Sequence, residues 1–136
     1  MDLLSAMELA AKGMKAQGVR MRVISENLAN ADTTGKTPGA DPYRRKIVTF
    51  KNELNRAEGL TEVNVDKVMA DKSDFILKYD PSHPAADKKG YVKMPNVNSL
   101  VEMMDMREAQ RSYEANLGVI DVARSMLMRT IDLLRS

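Results

Sequence analysis

Two long proline-free segments, one at each end of the 136-residue chain, constrain this fold more than any other feature of the sequence. Both carry apolar residues at alternating steps of three and four, the pattern of helices that lie along other helices. In the first segment, residues 2 to about 30, the stripe is Leu4, Met7, Ala11, Met14, Gly18, Met21, Ser25 and Leu28. In the second, residues 99 to 135, it is Met103, Met106, Gln110, Tyr113, Leu117, Ile120, Arg124, Leu127, Ile131 and Leu134.

The beginnings of the two helices and the glycines of the first carry further signals. Asp2 is a candidate N-cap, and Ser99 with Glu102 fits a capping box with Ser99 at the N-cap. Gly13 and Gly18 each cost about 1 kcal/mol relative to alanine inside a helix. Either the first helix is weak, or neighbouring backbones approach it closely at these glycines. The sustained stripe favours close approach.

The middle of the chain is rich in turns and locally strand-like. Residues 32–42 are predicted to form a loop, and residues 43–54 and 60–69 an antiparallel pair of strands around a turn at 55–59. Residues 75–79 are a third short strand candidate. We therefore expect a mainly α protein with a small β part, divided into a helix (1–31), a hairpin-rich middle (32–98) and a second helix (99–136).

The apolar residues of the second helix exceed what one partner helix can cover. A second apolar edge runs beside the first stripe and consists of Met104, Val119, Val122, Met126 and Leu133. Aromatic residues, which usually anchor a globular core, make up only 4% of the chain, whereas methionine occurs eleven times. A helix that is apolar on more than one side must be covered on more than one side. The sequence therefore predicts assembly with further subunits.

The residues offer little for chemistry, so we expect no catalytic, cofactor-binding or metal-binding residues. There is no cysteine, and the single histidine, His83, lies in a proline-rich loop. An alternative reading, a metal-dependent hydrolase using His83, Asp80 and Asp87, rests on a weak signal because catalytic zinc normally takes three ligands in fixed geometry. The net charge of +2 predicts no nucleic-acid partner, and the basic run at residues 44–46 is more typical of a solvated strand or a protein contact. No apolar run is long enough for membrane insertion.

The end of the first helix resembles a known family. The residues that carry the resemblance are Ser25, Asn27, Leu28, Ala29, Asn30, Thr34 and Gly35, and they look like the N-terminal signature of the flagellar axial proteins, which include rod and hook subunits. A finer match, to proximal-rod subunits, is carried by His83, Pro84, Gly90, Tyr91, Pro95, Asn96, Asn98, Tyr113, Glu114 and Asn116. The loop at residues 35–41 differs from the pattern expected for the family.

The resemblance implies a fold and a set of partners. The two terminal helices would pair as an antiparallel coiled coil, and the middle segment would lie outside it. The implied partners are other copies of the chain, other rod proteins (FlgB and the distal rod subunits), an adaptor to the membrane-embedded ring and, in transit, the flagellar type III export apparatus. The implied location is the basal-body rod in the periplasmic space, reached without a cleavable signal peptide. Two non-enzymatic alternatives are another rod subunit such as FlgB, against which residues 83–98 argue, and a cytosolic coiled-coil adaptor.

Overall fold

A computed structural model describes residues 2–57 and 59–136, so Met1 and Glu58 lie outside the described part. The elements in chain order are α1 (Leu3–Ala29), β1 (Lys46–Asn55), β2 (Leu60–Ala70), β3 (Ile76–Tyr79), β4 (Tyr91–Met94) and α2 (Ser99–Arg135). The predicted mainly helical fold, with a long helix near each end and a small antiparallel β part between them, is confirmed.

The first residues of each helix show how it begins. The Asp2 carboxylate accepts a hydrogen bond from the Ser5 amide at 2.7 Å, so the predicted N-cap of α1 is confirmed. At α2 the prediction was one residue too late, because the cap is Asn98. Its side-chain oxygen accepts from the Leu100 amide at 3.1 Å, and its carbonyl accepts from the Glu102 amide. Ser99 is thus the first helical residue.

The strands form two separate two-stranded sheets, one of β1 with β2 and one of β3 with β4. Side-chain hydrogen bonds join Asn55 to Glu62 and Asn64 to Glu53, the order expected of an antiparallel hairpin. In the predicted turn, the Gly59 amide donates to the Asn55 carbonyl at 2.8 Å. The predicted hairpin is therefore present, but its first strand begins at Lys46 rather than at residue 43.

The strand β4 was not predicted from the sequence. It pairs antiparallel with β3 in a register that places Ile76 opposite Met94 and Tyr79 opposite Tyr91. The Tyr79 and Tyr91 rings meet edge to face, with centroids 5.3 Å apart. Gly90, just before β4, has a φ of +86°, and a Cβ there would lie 2.9 Å from the Tyr79 ring. The turn into this short strand therefore requires glycine.

The chain divides into two compact units, each built from several parts of the sequence. Unit 1 contains the residues up to 21 together with residues 49–67 and 107–136, and unit 2 contains residues 22–48 and 68–106. These units cut across the three blocks expected from the sequence, because each helix contributes its outer part to unit 1 and its inner part to unit 2.

The buried apolar residues of the described chain are mostly small. In unit 1 they include Ala10 and Ala16 of α1 with Ala109 and Ala123 of α2, each 4% exposed or less. In unit 2 they are Val23, Ile24, Ala85, Val92 and Val97. Larger apolar side chains, leucine and methionine above all, lie mainly on the surface.

Candidate assembly surfaces and the polar cluster of unit 2

In unit 1, two contacts join α1 to α2. A Cβ added at Gly13 would lie 2.8 Å from the Asn116 side-chain nitrogen, and the Arg20 guanidinium lies 3.4 Å from the Glu108 carboxylate. The later α1 residue, Arg20, contacts the earlier α2 residue, Glu108, so the helices run antiparallel in this unit. The three atoms nearest to the Cβ added at Gly13 all belong to the Asn116 side chain, so a side chain, and not the expected neighbouring backbone, makes the close approach there. At Gly18 no close approach is present within the chain, because nothing lies within 4 Å of an added Cβ.

The buried face of α2 differs from the predicted stripe. At alternate positions the buried residue lies one place before the residue that was predicted. Met106, Tyr113, Ile120 and Leu127 are partly buried, whereas Leu117, Ile131 and Leu134 are exposed. The fully buried residues are Glu102, Ala109 and Ala123, each one position before a member of the predicted stripe. The interruptions predicted at Gln110 and Arg124 therefore disappear, since both side chains are exposed and alanine occupies the buried position beside each.

The predicted stripe of α1 shows the same mixture. Met7, Met14, Gly18, Met21 and Leu28 are partly buried, and Leu4 and Ala11 are exposed. The fully buried residues of this helix are Ala10, Ala16, Val23, Ile24 and Asn27, and none of them belongs to the predicted stripe. No large apolar side chain of either predicted stripe is thus fully buried; most are partly buried and the rest are exposed.

The second apolar edge of α2 lies entirely on the surface. Val122 is 61% exposed and Leu133 76%, and Met104, Val119 and Met126 are exposed as well. Part of this edge borders an open groove of about 480 Å³ in unit 1, where Ala6 and Gly118 are among the lining residues. The groove is lined only by apolar residues and glycine. It is therefore a candidate surface for another protein rather than for a polar ligand.

In unit 2, Asn27 is the centre of a buried polar cluster. It is 1% exposed, and its amide nitrogen donates to the Lys46 carbonyl at 2.8 Å and to the Glu102 carboxylate at 3.2 Å. Its oxygen accepts from the Tyr43 hydroxyl at 2.7 Å and from the Lys46 amide at 2.9 Å. All four hydrogen-bonding positions of the amide are used, so the side chain pairs with Lys46 as a neighbouring strand would.

Arg45 extends this cluster. Its guanidinium pairs with the buried carboxylate of Glu102 and lies 3.3 Å from the Asp71 carboxylate. The Ser73 amide donates to Asp71 and, together with the Ser73 hydroxyl and Arg45, holds the pKa of Asp71 below its ordinary value. Asn96 accepts from the Arg45 amide at 2.8 Å. Residues 43–45 are thus held by side chains, which is why β1 begins only at Lys46.

Most residues of the predicted family signature that lie in unit 2 have structural roles of this kind. Asn30 donates from its side chain to the Glu26 carbonyl, and the space beside Gly35 is filled by Ala40. Pro95 is buried. The sequence reasoning missed Arg45, Asp71 and Glu102 as members of the cluster. The basic run at 44–46 had suggested a solvated strand or a partner contact, and nothing in its spacing pointed to a buried carboxylate.

The hypothetical metal site has a different arrangement in the structure. The His83 Nδ1 accepts a hydrogen bond from the Ala85 amide at 3.0 Å, and Asp80 accepts from Ser82. Within residues 2–57 and 59–136, no three histidine, cysteine or acidic side chains come together in a way that could hold a metal ion. In the same part of the chain, neither helix is long and apolar enough to cross a membrane.

Comparison with known proteins identifies the family. Residues 7–35 match the family described as Flagella basal body rod protein, and residues 88–133 match Flagellar basal body rod FlgEFG protein C-terminal. A flagellar basal-body rod protein FlgC from Agrobacterium fabrum is 56% identical over an alignment that covers 100% of this chain and 99% of the relative. The chain belongs to the FlgC family.

More distant FlgC proteins match over the same length. Those of Borreliella burgdorferi and Salmonella typhimurium are each 40% identical, and the alignments cover 98% or more of both chains. The FlgC family consists of structural proteins of the flagellar basal-body rod, so this chain is a structural rod subunit and not an enzyme. The resemblance inferred from Asn27 and its neighbours is confirmed.

Proposed function

We propose that this FlgC-family chain is a subunit of the proximal rod whose two terminal helices pair as an antiparallel coiled coil. In this proposal the outward apolar face of α2 binds neighbouring subunits, and the helical stack of subunits transmits torque to hook and filament. The contacts of α1 with α2 in unit 1, at Gly13 and Arg20, support the pairing. Unit 2 supports it at one further point, where Asn27 donates to Glu102.

The exposed apolar edge of α2 is the observation that carries the proposal. Val119, Val122, Met126 and Leu133 are between 46% and 76% exposed. At about 25 cal/mol per Å² of apolar surface, covering these side chains would contribute on the order of several kcal/mol per subunit. A contact between two different faces of identical subunits builds an open helical assembly, such as a rod, when its rotation does not close a ring.

The proposed partners are other copies of this chain, FlgB, the distal rod subunits and the adaptor to the membrane-embedded ring. The proposed location is the rod within the periplasmic space, reached through the flagellar type III export channel without a cleavable signal peptide. Family membership supports both proposals. The torque path then consists of many packed helix contacts rather than one strong bond.

A complementation experiment tests the proposed surface. In an Agrobacterium strain that lacks its own FlgC, Val122→Glu should abolish swimming and remove the chain from isolated basal bodies. The matched control is Gln110→Glu, which adds the same charge at an exposed position of the same helix, and it should swim normally. Normal swimming with Val122→Glu, or basal bodies that are complete without the chain, would refute the proposal.

A further inference from the structure

Several of the eleven methionines are exposed, and one of these, Met126, borders the open apolar groove of unit 1. Its side chain is 51% exposed, and Val119 and Val122 line the groove with it. Met69, on β2 in unit 2, is exposed to a similar extent, 42%, but does not line this groove. A small solute in water therefore reaches both side chains, and only Met126 borders the candidate assembly surface.

Methionine is the residue of this chain that is open to mild, reversible oxidation, because the chain has no cysteine. Hydrogen peroxide oxidises the thioether by transferring one oxygen atom. The sulfur lone pair attacks one oxygen of the peroxide, the O–O bond breaks, and a bond between sulfur and oxygen forms. The attacked oxygen passes its proton to the departing hydroxide, which leaves as water, so the sulfur loses the two electrons that the peroxide gains. Methionine sulfoxide reductases reverse the change.

The surroundings of Met126 are unsuited to a sulfoxide once the groove is covered. Oxidation converts a flexible apolar side chain into a polar one that carries a hydrogen-bond acceptor. Among the described residues that line the groove, none has a side chain that can donate a hydrogen bond to this oxygen. An acceptor that loses its hydration without gaining a donor weakens binding about tenfold or more. Oxidation of Met126 should therefore oppose the covering of this groove by another protein.

We propose that Met126 is a peroxide-sensitive modification site, and that its sulfoxide keeps a subunit out of the rod until the sulfoxide is reduced. The inference rests on the proposed function, in which neighbouring subunits cover the apolar edge of α2, and it adds a reversible chemical control of that contact. Before assembly the sulfur of Met126 is open to the oxidant, and a neighbouring subunit shields it afterwards. The rod thus takes up subunits with reduced Met126, whereas the oxidation state of Met69 does not affect their uptake.

Substitutions that imitate the two states of the side chain test the effect on assembly. In the Agrobacterium strain that lacks its own FlgC, Met126→Gln places a polar side chain of similar length at the groove. It should lower the amount of the chain in isolated basal bodies about tenfold or more. Met126→Leu stays apolar and cannot be oxidised, and Met69→Gln is the matched control, so both should be incorporated normally. Normal incorporation of Met126→Gln, or an equal loss with Met126→Leu, would overturn the inference.

A competition under oxidant tests the natural residue. The natural chain and Met126→Leu are expressed together in this strain, and mass spectrometry of the tryptic peptide of residues 125–129 distinguishes them in isolated basal bodies. Without added hydrogen peroxide, the two chains should be incorporated in the ratio of their expression. With a sublethal dose, the share of Met126→Leu should rise by the factor expected if every subunit with oxidised Met126 is left out. That oxidised fraction is measured on the unassembled chain from the same cells.

The same competition with Met69→Leu is the control, and the share of this variant should not change with peroxide. The inference fails if Met126→Leu gains no share while Met126 sulfoxide accumulates in the unassembled chain. It also fails if Met126 stays reduced under a dose that oxidises Met69, or if Met69→Leu gains as much as Met126→Leu. The proposed rod function would still stand after any of these results, since it is judged by Val122→Glu.

Discussion

The substitution Asn27→Asp tests the central structural claim about unit 2. It keeps the shape of the side chain and its two accepted hydrogen bonds, from the Tyr43 hydroxyl and the Lys46 amide. It removes the two donated ones, to the Lys46 carbonyl and the Glu102 carboxylate. A neutral hydrogen bond contributes about 1 kcal/mol and one to a charged group about 2 kcal/mol, so the free energy of unfolding should fall by about 3 kcal/mol at neutral pH.

The pH dependence has a definite sign. The new carboxylate would be buried beside the carboxylate of Glu102, and both burial and the like charge raise its pKa in the folded state. A protonated carboxyl can again donate one hydrogen bond. The destabilisation should therefore be largest at neutral pH and become smaller as the pH falls through the raised pKa.

Urea unfolding followed by far-UV circular dichroism measures the effect on the purified chain. Asn52→Asp is the matched control, because it makes the same chemical change at an exposed position of β1, and it should change the free energy of unfolding by less than 0.5 kcal/mol, a rough limit for surface sites. In a double-mutant cycle, Glu102→Gln should cost less in the Asn27→Asp background than alone. A loss below about 1 kcal/mol for Asn27→Asp at neutral pH would show that the cluster does not hold unit 2 together.

Three further predictions concern the helices. Gly118→Ala should stabilise the chain by about 1 kcal/mol through helix propensity, whereas Gly13→Ala should give little or none of that gain because its Cβ meets the Asn116 side chain of α2; thermal unfolding of both variants compares them. Asn98→Ala should lower the free energy of unfolding by about 1 kcal/mol, because the cap is lost, and Ser99→Ala should lower it much less. Equal losses in urea unfolding would instead support Ser99 as the N-cap, as the sequence predicted. Dilute monomer should show less helix by far-UV circular dichroism than assembled rods, because isolated long helices are marginal in water, and equal helicity would contradict this.

The sequence predicted the elements well, and its errors have a common physical origin. Periodicity locates both helices, but a stripe chosen for its large apolar side chains follows Leu117 rather than the alanine row at Ala109 and Ala123. Alanine can face inward or outward, so hydrophobicity alone does not place it. Glu102 occupies a buried position of the same row, but a charged residue is predicted to lie on the surface when only the sequence pattern is used.

The missed strand and the missed cluster depend on contacts between distant parts of the chain. The strand β4 has only four residues, and its partner β3 precedes it by more than ten residues, so no local turn signal joins them. Arg45 belongs to the cluster only because Asp71 and Glu102 are brought to it from far along the chain. Asn27 was predicted as a signature residue from resemblance, and its role became visible only with its four hydrogen bonds.

The distribution of side-chain size connects the fold of this rod subunit to its assembly. The buried apolar residues of unit 1 are alanines, whereas Val122, Leu133 and Leu134 remain between 61% and 83% exposed. Because the free energy of burial grows with apolar area, helix pairing through alanine stabilises a single chain only weakly. The larger apolar area is left for neighbouring subunits, so most of the stabilisation of the outer helices should appear only when the rod assembles. Unit 2 has instead a fully satisfied polar cluster, which specifies one arrangement of the strands and the inner helix turns without using the apolar residues that assembly requires.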